Sequence, residues 1–147
     1  VTDRHVLTPG PGPAVRPAEG RALVVIAHGS RREASNDEVR TLAERLRARA
    51  RETFPIVEHG FLELAEPSID ETLDRVIARG AREVVVLPYF LAAGRHVCDD
   101  VPQAVEACRQ RHPDVSVEVT PHLGATEALA DLLLRMAGDA PASLPTG

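Results

Sequence analysis

Residues 22–30 read ALVVIAHGS, and this stretch decides the fold. An unbroken apolar run ends in a histidine, a glycine and a serine, and the polar Arg31, Arg32 and Glu33 follow at once. Such a run predicts a strand covered on both faces, the mark of a parallel sheet wrapped by helices. Just downstream, SNDEVRTLAERLRARARE sets Val39, Leu42, Ala43 and Leu46 on one helical stripe. Ser35, with Glu38 three residues on, reads as its capping box.

Working outward, the alternation repeats. PIVEHGFLEL (55–64) predicts a second strand. SIDETLDRVIARG (68–80) predicts a helix with a Ser68–Glu71 box, a buried face of Ile69, Leu73, Val76 and Ile77, and a stop at Gly80. EVVVLPYFL (83–91) is the third strand and the most hydrophobic. A third helix is expected from about Asp99–Asp100, with Pro102 in its first turn and Val101, Ala104, Val105 and Cys108 as its stripe. VSVEVTPHLG (115–124) gives a fourth strand, and Leu129, Leu132, Leu133 and Met136 mark a fourth helix. Four strand–helix units in succession predict an α/β fold over residues 21–138: a small doubly wound, four-stranded parallel sheet with helices on both faces. Residues 1–20, rich in Pro and Gly, and residues 139–147 lack periodicity and read as a disordered leader and tail.

Composition narrows the function classes. With 44% hydrophobic and 27% charged residues, the chain of 147 residues is an ordinary globular domain. A net charge of −5 supplies no field to hold nucleic acid or an anionic membrane, so neither is an expected partner. All 17 basic residues are arginine, so any anion contact is a planar, forked one. No stretch approaches the roughly 18–20 apolar residues of a membrane span, and the first twenty residues lack the apolar centre of a signal peptide. Cys98 and Cys108 fit neither a redox pair nor a zinc-ligand spacing. The expected location is the cytoplasm.

In an open parallel sheet, ligands bind beyond the carboxyl ends of the strands. That rule selects His28 after strand one, Glu63 after strand two, His96 after strand three and His122 after strand four. Imidazole nitrogens with a carboxylate suit divalent ions such as Co²⁺, Ni²⁺, Fe²⁺ or Zn²⁺. Each also has a plain reading as a hydrogen-bonded loop residue, and Glu63 as an arginine's partner. His122 is left open between ligand and carbonyl cap, and His59, inside strand two, reads as structural. The loop after strand one resembles a phosphate cradle only loosely, since it has neither GxxxxGK[ST] nor GxGxxG. Ser30 beside His28 has no nucleophile elbow around it.

Three ordered motifs carry a resemblance. VIAHGSRREASND, GFLELAEPSIDETLDR and VVVLPYFLAAGRHVCDDVP, within residues 21–137, resemble the sirohydrochlorin cobaltochelatase/ferrochelatase family, the small class II chelatases that need no ATP. The resemblance implies insertion of Co²⁺, Fe²⁺ or Ni²⁺ into sirohydrochlorin for cobalamin- or siroheme-type tetrapyrroles, the metal being substrate and no further cofactor being needed. It implies that His28 and His96 bind the ion, that Glu63 joins them, and that these three are catalytic. A single copy of the unit implies the short form, a homodimer whose second subunit walls the cleft. Ser30, Arg31, Arg32, Leu91 and Arg95 lie where they would bind substrate, the arginines on its carboxylates and Leu91 on its apolar face, with Tyr89 and Phe90 on opposite sides of strand three. His59 and His122 match no motif histidine, and the leader lies outside the family core. A non-catalytic metal or tetrapyrrole carrier would use the same residues.

Overall fold

β1 (Arg21–Ala27) is the central strand, and its burial explains its composition. In the computed structural model, which describes residues 19–140 apart from the side chain of His96, every residue from Ala22 to Ala27 is at most 7% exposed. Successive side chains of a strand point to opposite faces. Ala22, Val24 and Ile26 therefore enter one core layer, and Leu23 and Val25 another.

The remaining elements are α1 (Glu33–Arg49), β2 (Ile56–Phe61), α2 (Ile69–Ala78), β3 (Glu83–Pro88), α3 (Arg95–Arg111), β4 (Ser116–Val119), a short 3₁₀ turn (Leu123–Ala125) and α4 (Glu127–Gly138). All strand pairs are parallel, in the order β2-β1-β3-β4. This is the doubly wound sheet the alternation predicts. The chain leaves β1 toward β2 and then returns to β3 on β1's other side, so the switch point lies between β1 and β3. Helices α2 and α3 bury one sheet face with Leu73, Val76, Val101, Val105 and Cys108. On the other face, α1 packs through Val39, Ala43 and Leu46.

Boundaries differ from the sequence expectation in two informative places. The Ser68–Glu71 capping box forms as expected, each side chain bonding the other's backbone N–H. No such box forms at Ser35: α1 starts at Glu33 with Arg32 as its N-cap, and the Ser35 N–H bonds the Arg32 carbonyl. The buried Asn36 hooks the preceding loop, and the helix starts three residues earlier than expected, nearly a full turn. Likewise α3 starts at Arg95 rather than Asp99, so Pro102 lies inside the helix and His96 in its first turn. The expected leader and tail fall outside the described residues except for Glu19, Gly20, Asp139 and Ala140; the Gly20 carbonyl accepts from the N–H groups of Arg82 and Glu83. No helix among the described residues is long and apolar enough to cross a membrane.

Candidate metal and macrocycle site

Past the end of β1, the sheet ladder continues for two more bonds. The Leu62 N–H donates to the Ala27 carbonyl (2.9 Å), and the Glu63 N–H to the His28 carbonyl (3.0 Å). This extension sets His28 and Glu63 side by side. It requires glycine at position 29: φ is +92°, and a Cβ there would fall 1.8 Å from the Glu63 carbonyl oxygen. Leu64 turns the chain with φ of +62°. The loop then closes where the Phe61 N–H meets the Pro67 carbonyl (2.8 Å).

The outcome is a contact of 2.9 Å between His28 Nε2 and Glu63 Oε1. Both side chains are open to solvent, at 50% and 59% exposure. Two donors that bind one divalent ion at about 2.0–2.2 Å, near a right angle, stand about 3 Å apart. The 2.9 Å contact is an ordinary hydrogen-bond separation, and two ligands of one ion can also adopt it. The two groups stand within hydrogen-bond distance, with the donor and acceptor roles set by the tautomer of the imidazole. Phe90, 8% exposed, meets the imidazole edge-on at 6.5 Å and backs it from the core.

Asn36 braces the loop after β1, a support that the motif reading passed over. It is 1% exposed. Its Oδ1 accepts from the Ser30 N–H (2.9 Å) and its Nδ2 donates to the Ser30 carbonyl (2.8 Å) and to Glu33. A signal was present: Asn36 shares the helical stripe of Val39 and Ala43, and a polar residue on an apolar stripe is buried for a reason. Ser30 itself uses its hydroxyl to accept the Arg32 N–H (3.0 Å), so it shapes the turn. On the far side of α1's first turn, Arg40 ties Glu33 to Asp37, which holds the Glu33 carboxyl below its usual range.

Across the switch point, the Tyr89 N–H bonds the Ile26 carbonyl (2.7 Å), and the chain then leaves β3 for the 91–94 loop. The turn Leu123–Ala125 leans on this loop: the Gly124 N–H donates to the Phe90 carbonyl, and a Cβ at Gly124 would lie 1.7 Å from the Leu91 carbonyl oxygen. His96 follows in the first turn of α3, and its side chain lies outside the described atoms. Phe90 is core, while Tyr89 (40%), Leu91 (71%) and Leu64 (52%) give the rim an apolar surface. Arg31, Arg32 and Arg95 are exposed, and none forms an ion pair among the described residues.

The remaining histidines separate by environment. His59 packs edge-on against Phe61 at 5.5 Å, and burial pushes its imidazole pKa down. His112 bonds Asp74 (2.9 Å), joining α3 to α2. His122 precedes the 3₁₀ turn and lines a groove of about 300 Å³ with Leu87, Thr120 and Leu123. No group of three or more His, Cys, Asp or Glu side chains gathers around one point among the described residues. The described part of the candidate site thus brings together one imidazole and one carboxylate.

This geometry can be set beside known proteins. The CbiX family model matches residues 22–140. The sirohydrochlorin cobaltochelatase of Methanococcus aeolicus is 42% identical over 56% of this chain and 56% of its own length. The chloroplastic sirohydrochlorin ferrochelatase of Arabidopsis thaliana is 33% identical over 76% of this chain and 48% of its own. The matched part thus spans about half the length of these relatives. Among solved structures, a cobalamin biosynthesis CbiX protein from Marinobacter aquaeolei VT8 superposes with a TM-score of 0.68 at 28% identity, covering 81% of this chain and 95% of that one. The sirohydrochlorin chelatase SirB from Bacillus subtilis subspecies spizizenii, solved with cobalt, gives 0.71 at 25% identity, covering 81% of this chain and 50% of that one. A four-stranded parallel sheet with an open histidine–carboxylate pair at its carboxyl edge, matched from its first strand to its last helix, makes this chain a member of the CbiX family.

Proposed function

We propose that this protein inserts a divalent metal, Co²⁺, Fe²⁺ or Ni²⁺, into sirohydrochlorin without ATP. The observation that carries the reading is the 2.9 Å pair of His28 Nε2 and Glu63 Oε1, held at the mouth of the sheet by backbone bonds. The names of the relatives, cobaltochelatase and ferrochelatase, support the substrate and leave the metal to the cell's supply.

Insertion exchanges two pyrrolic N–H protons for one M²⁺. The ion must shed water, the macrocycle must present its nitrogens, and two protons must leave. Neutral imidazole and carboxylate donors displace water from the ion while leaving coordination positions for the pyrrole nitrogens. In this reading His28 and His96 hold the incoming ion with Glu63. As the ion passes to the ring, the freed Nε2 and carboxylate are bases within reach of the departing protons. Glu63 also fixes the ring plane of His28 while the site waits. Leu91 and Leu64 offer apolar contact to the macrocycle, and Arg31, Arg32 and Arg95 offer forked donors to its carboxylates.

One rim of one small sheet encloses little of a macrocycle, whereas ligand sites bury most of their ligand. A homodimer in which a second subunit walls the cleft completes the site. A cytoplasmic setting fits two cysteines that stand unpaired.

The test is anaerobic absorbance of sirohydrochlorin with Co²⁺ and Fe²⁺, with and without protein. Insertion faster than the protein-free reaction supports the chelatase. Tight binding with no acceleration would replace it by the carrier reading.

A further inference from the structure

Away from the rim where His28 meets Glu63, a second pair of metal-binding side chains faces a common space. Beside α3, at the carboxyl ends of β3 and β4, lies a cavity of about 150 Å³. Cys98 lines it from α3 and His122 from the segment after β4. Pro88, Val101, Pro102 and Val119 make much of the remaining wall apolar. The early start of α3 creates this arrangement. A helix running from Arg95 sets Cys98 and Pro102 one turn apart on the side that lines the cavity, where the sequence expectation left Cys98 in a loop.

The fold uses neither donor. The sequence left His122 open between a ligand and a carbonyl cap, and the cap does not form. Its side chain makes no cap hydrogen bond to the 3₁₀ turn it precedes, nor a hydrogen bond or ion pair to any other described residue. A half-buried imidazole without a partner calls for an explanation. Cys98 is an exposed free thiol. The other cysteine, Cys108, is 0% exposed in the core, so Cys98 is the thiol that ions in solution can reach. Both backbones are held in place. The Cys98 N–H donates to the Gly94 carbonyl (3.1 Å) in the first turn of α3. His122 is anchored two residues away on either side, by the Thr120 N–H on the Val86 carbonyl and the Gly124 N–H on the Phe90 carbonyl (both 2.9 Å).

We infer that Cys98 Sγ and the His122 imidazole form a second cation site, for a thiophilic divalent ion such as Zn²⁺ or Co²⁺. One sulfur and one imidazole nitrogen are donors that such ions favour. A water needs roughly 10–15 Å³ of cavity, so the space takes the ion with the waters that complete its coordination. On binding, the thiol releases its proton to solvent, and the Sγ–metal and nitrogen–metal bonds each replace a metal–water bond. The apolar wall strengthens the attraction between thiolate and cation. This site differs in donor type from His28 and Glu63, which offer nitrogen and oxygen alone. It stands or falls independently of the chelatase reading.

The experiment titrates the full chain with Co²⁺ alone, anaerobically, after reduction by a phosphine that carries no thiol. Thiolate bound to Co²⁺ gives an intense near-ultraviolet charge-transfer band that nitrogen and oxygen donors do not give, so His28 and Glu63 are silent in this readout. The expected result is the band in the wild type and in His28→Ala, and its loss in Cys98→Ser and in His122→Ala, with far-UV circular dichroism unchanged. Zn²⁺ should protect Cys98 from alkylation by iodoacetamide in the wild type, and the protection should be lost in His122→Ala. A wild type that shows no band at saturating Co²⁺ overturns the site. So does a band that survives either substitution, with His122→Gln standing in should the alanine unfold the chain. A band restored by mixing Cys98→Ser with His122→Ala chains puts the two donors on different copies and overturns the site within one chain.

Discussion

Helix α2 and the carboxyl rim hang from the same strands and are built for opposite purposes. The α2 stripe of Ile69, Leu73, Val76 and Ile77 is at most 8% exposed. His28 and Glu63, one loop away, are at least half exposed. Burial of apolar area stabilises the fold, while the rim side chains contribute little to it and are free to bind. The backbone beneath the rim is another matter. Gly29, Asn36 and the two extra ladder bonds hold the donors in place with groups that are buried or bonded. The lesson is that side chains at this edge are expendable for folding and their supports are not.

Substitutions can break that separation, and the largest effect is expected in activity. Replacing His28 by alanine should slow metal insertion by about 10²-fold or more, the usual scale for losing a ligand or base. Its unfolding free energy should move by no more than about 0.5 kcal/mol. Parallel insertion assays and urea titrations check this, and a destabilised His28→Ala protein would erase the distinction between rim and body. Leu73→Ala is the mirror experiment. It should cost roughly 2–5 kcal/mol in urea unfolding, with the insertion rate per folded molecule unchanged.

Asn36→Ala probes the support between the two. Two half-buried backbone groups of Ser30 would lose their partner, costing about 1 kcal/mol. Because the loop carrying His28 is released, insertion should fall as well, and both readouts should move together. Asp74→Asn sharpens the comparison at its low end. Burial alone would raise the Asp74 carboxyl, but hydrogen bonds from His112 and Arg111 outweigh it and hold the pKa below its ordinary value of 3.8. A depressed carboxylate adds stability that is complete above its unfolded value and lost as pH falls through its folded one. The half-exposed pair is screened, so the contribution is about 1 kcal/mol or less. Urea titrations between pH 6 and 2.5 should show the wild type losing that margin below about pH 4, and Asp74→Asn lacking it throughout.

Much of this was legible in the residues. The unbroken run 22–27 predicts a strand buried on both faces, and the strand order places it at the centre. The Ser68–Glu71 box and the α2 stripe are local patterns, and they form as read. The start of α3 was not legible, because Asp99 and Pro102 look like a first turn while Arg95–Cys98 carry no capping side chain. Ser35 misled in the same way: a good local cap lost to Asn36, whose partner Ser30 lies across the loop.

The amino-acid sequence by itself determined the alternation of strands and helices, because periodicity and caps act over a few residues. It also determined which side chains could reach the carboxyl edge, since that follows from where each strand stops. Only the tertiary structure decided that His28 and Glu63, 35 positions apart, meet at 2.9 Å, since that contact depends on β2 pairing with β1 beyond its end and on Gly29 letting a carbonyl pass. Only the tertiary structure, too, left the α4 stripe uncovered among the described residues: a helical period fixes which face is apolar, and packing alone decides what lies against it.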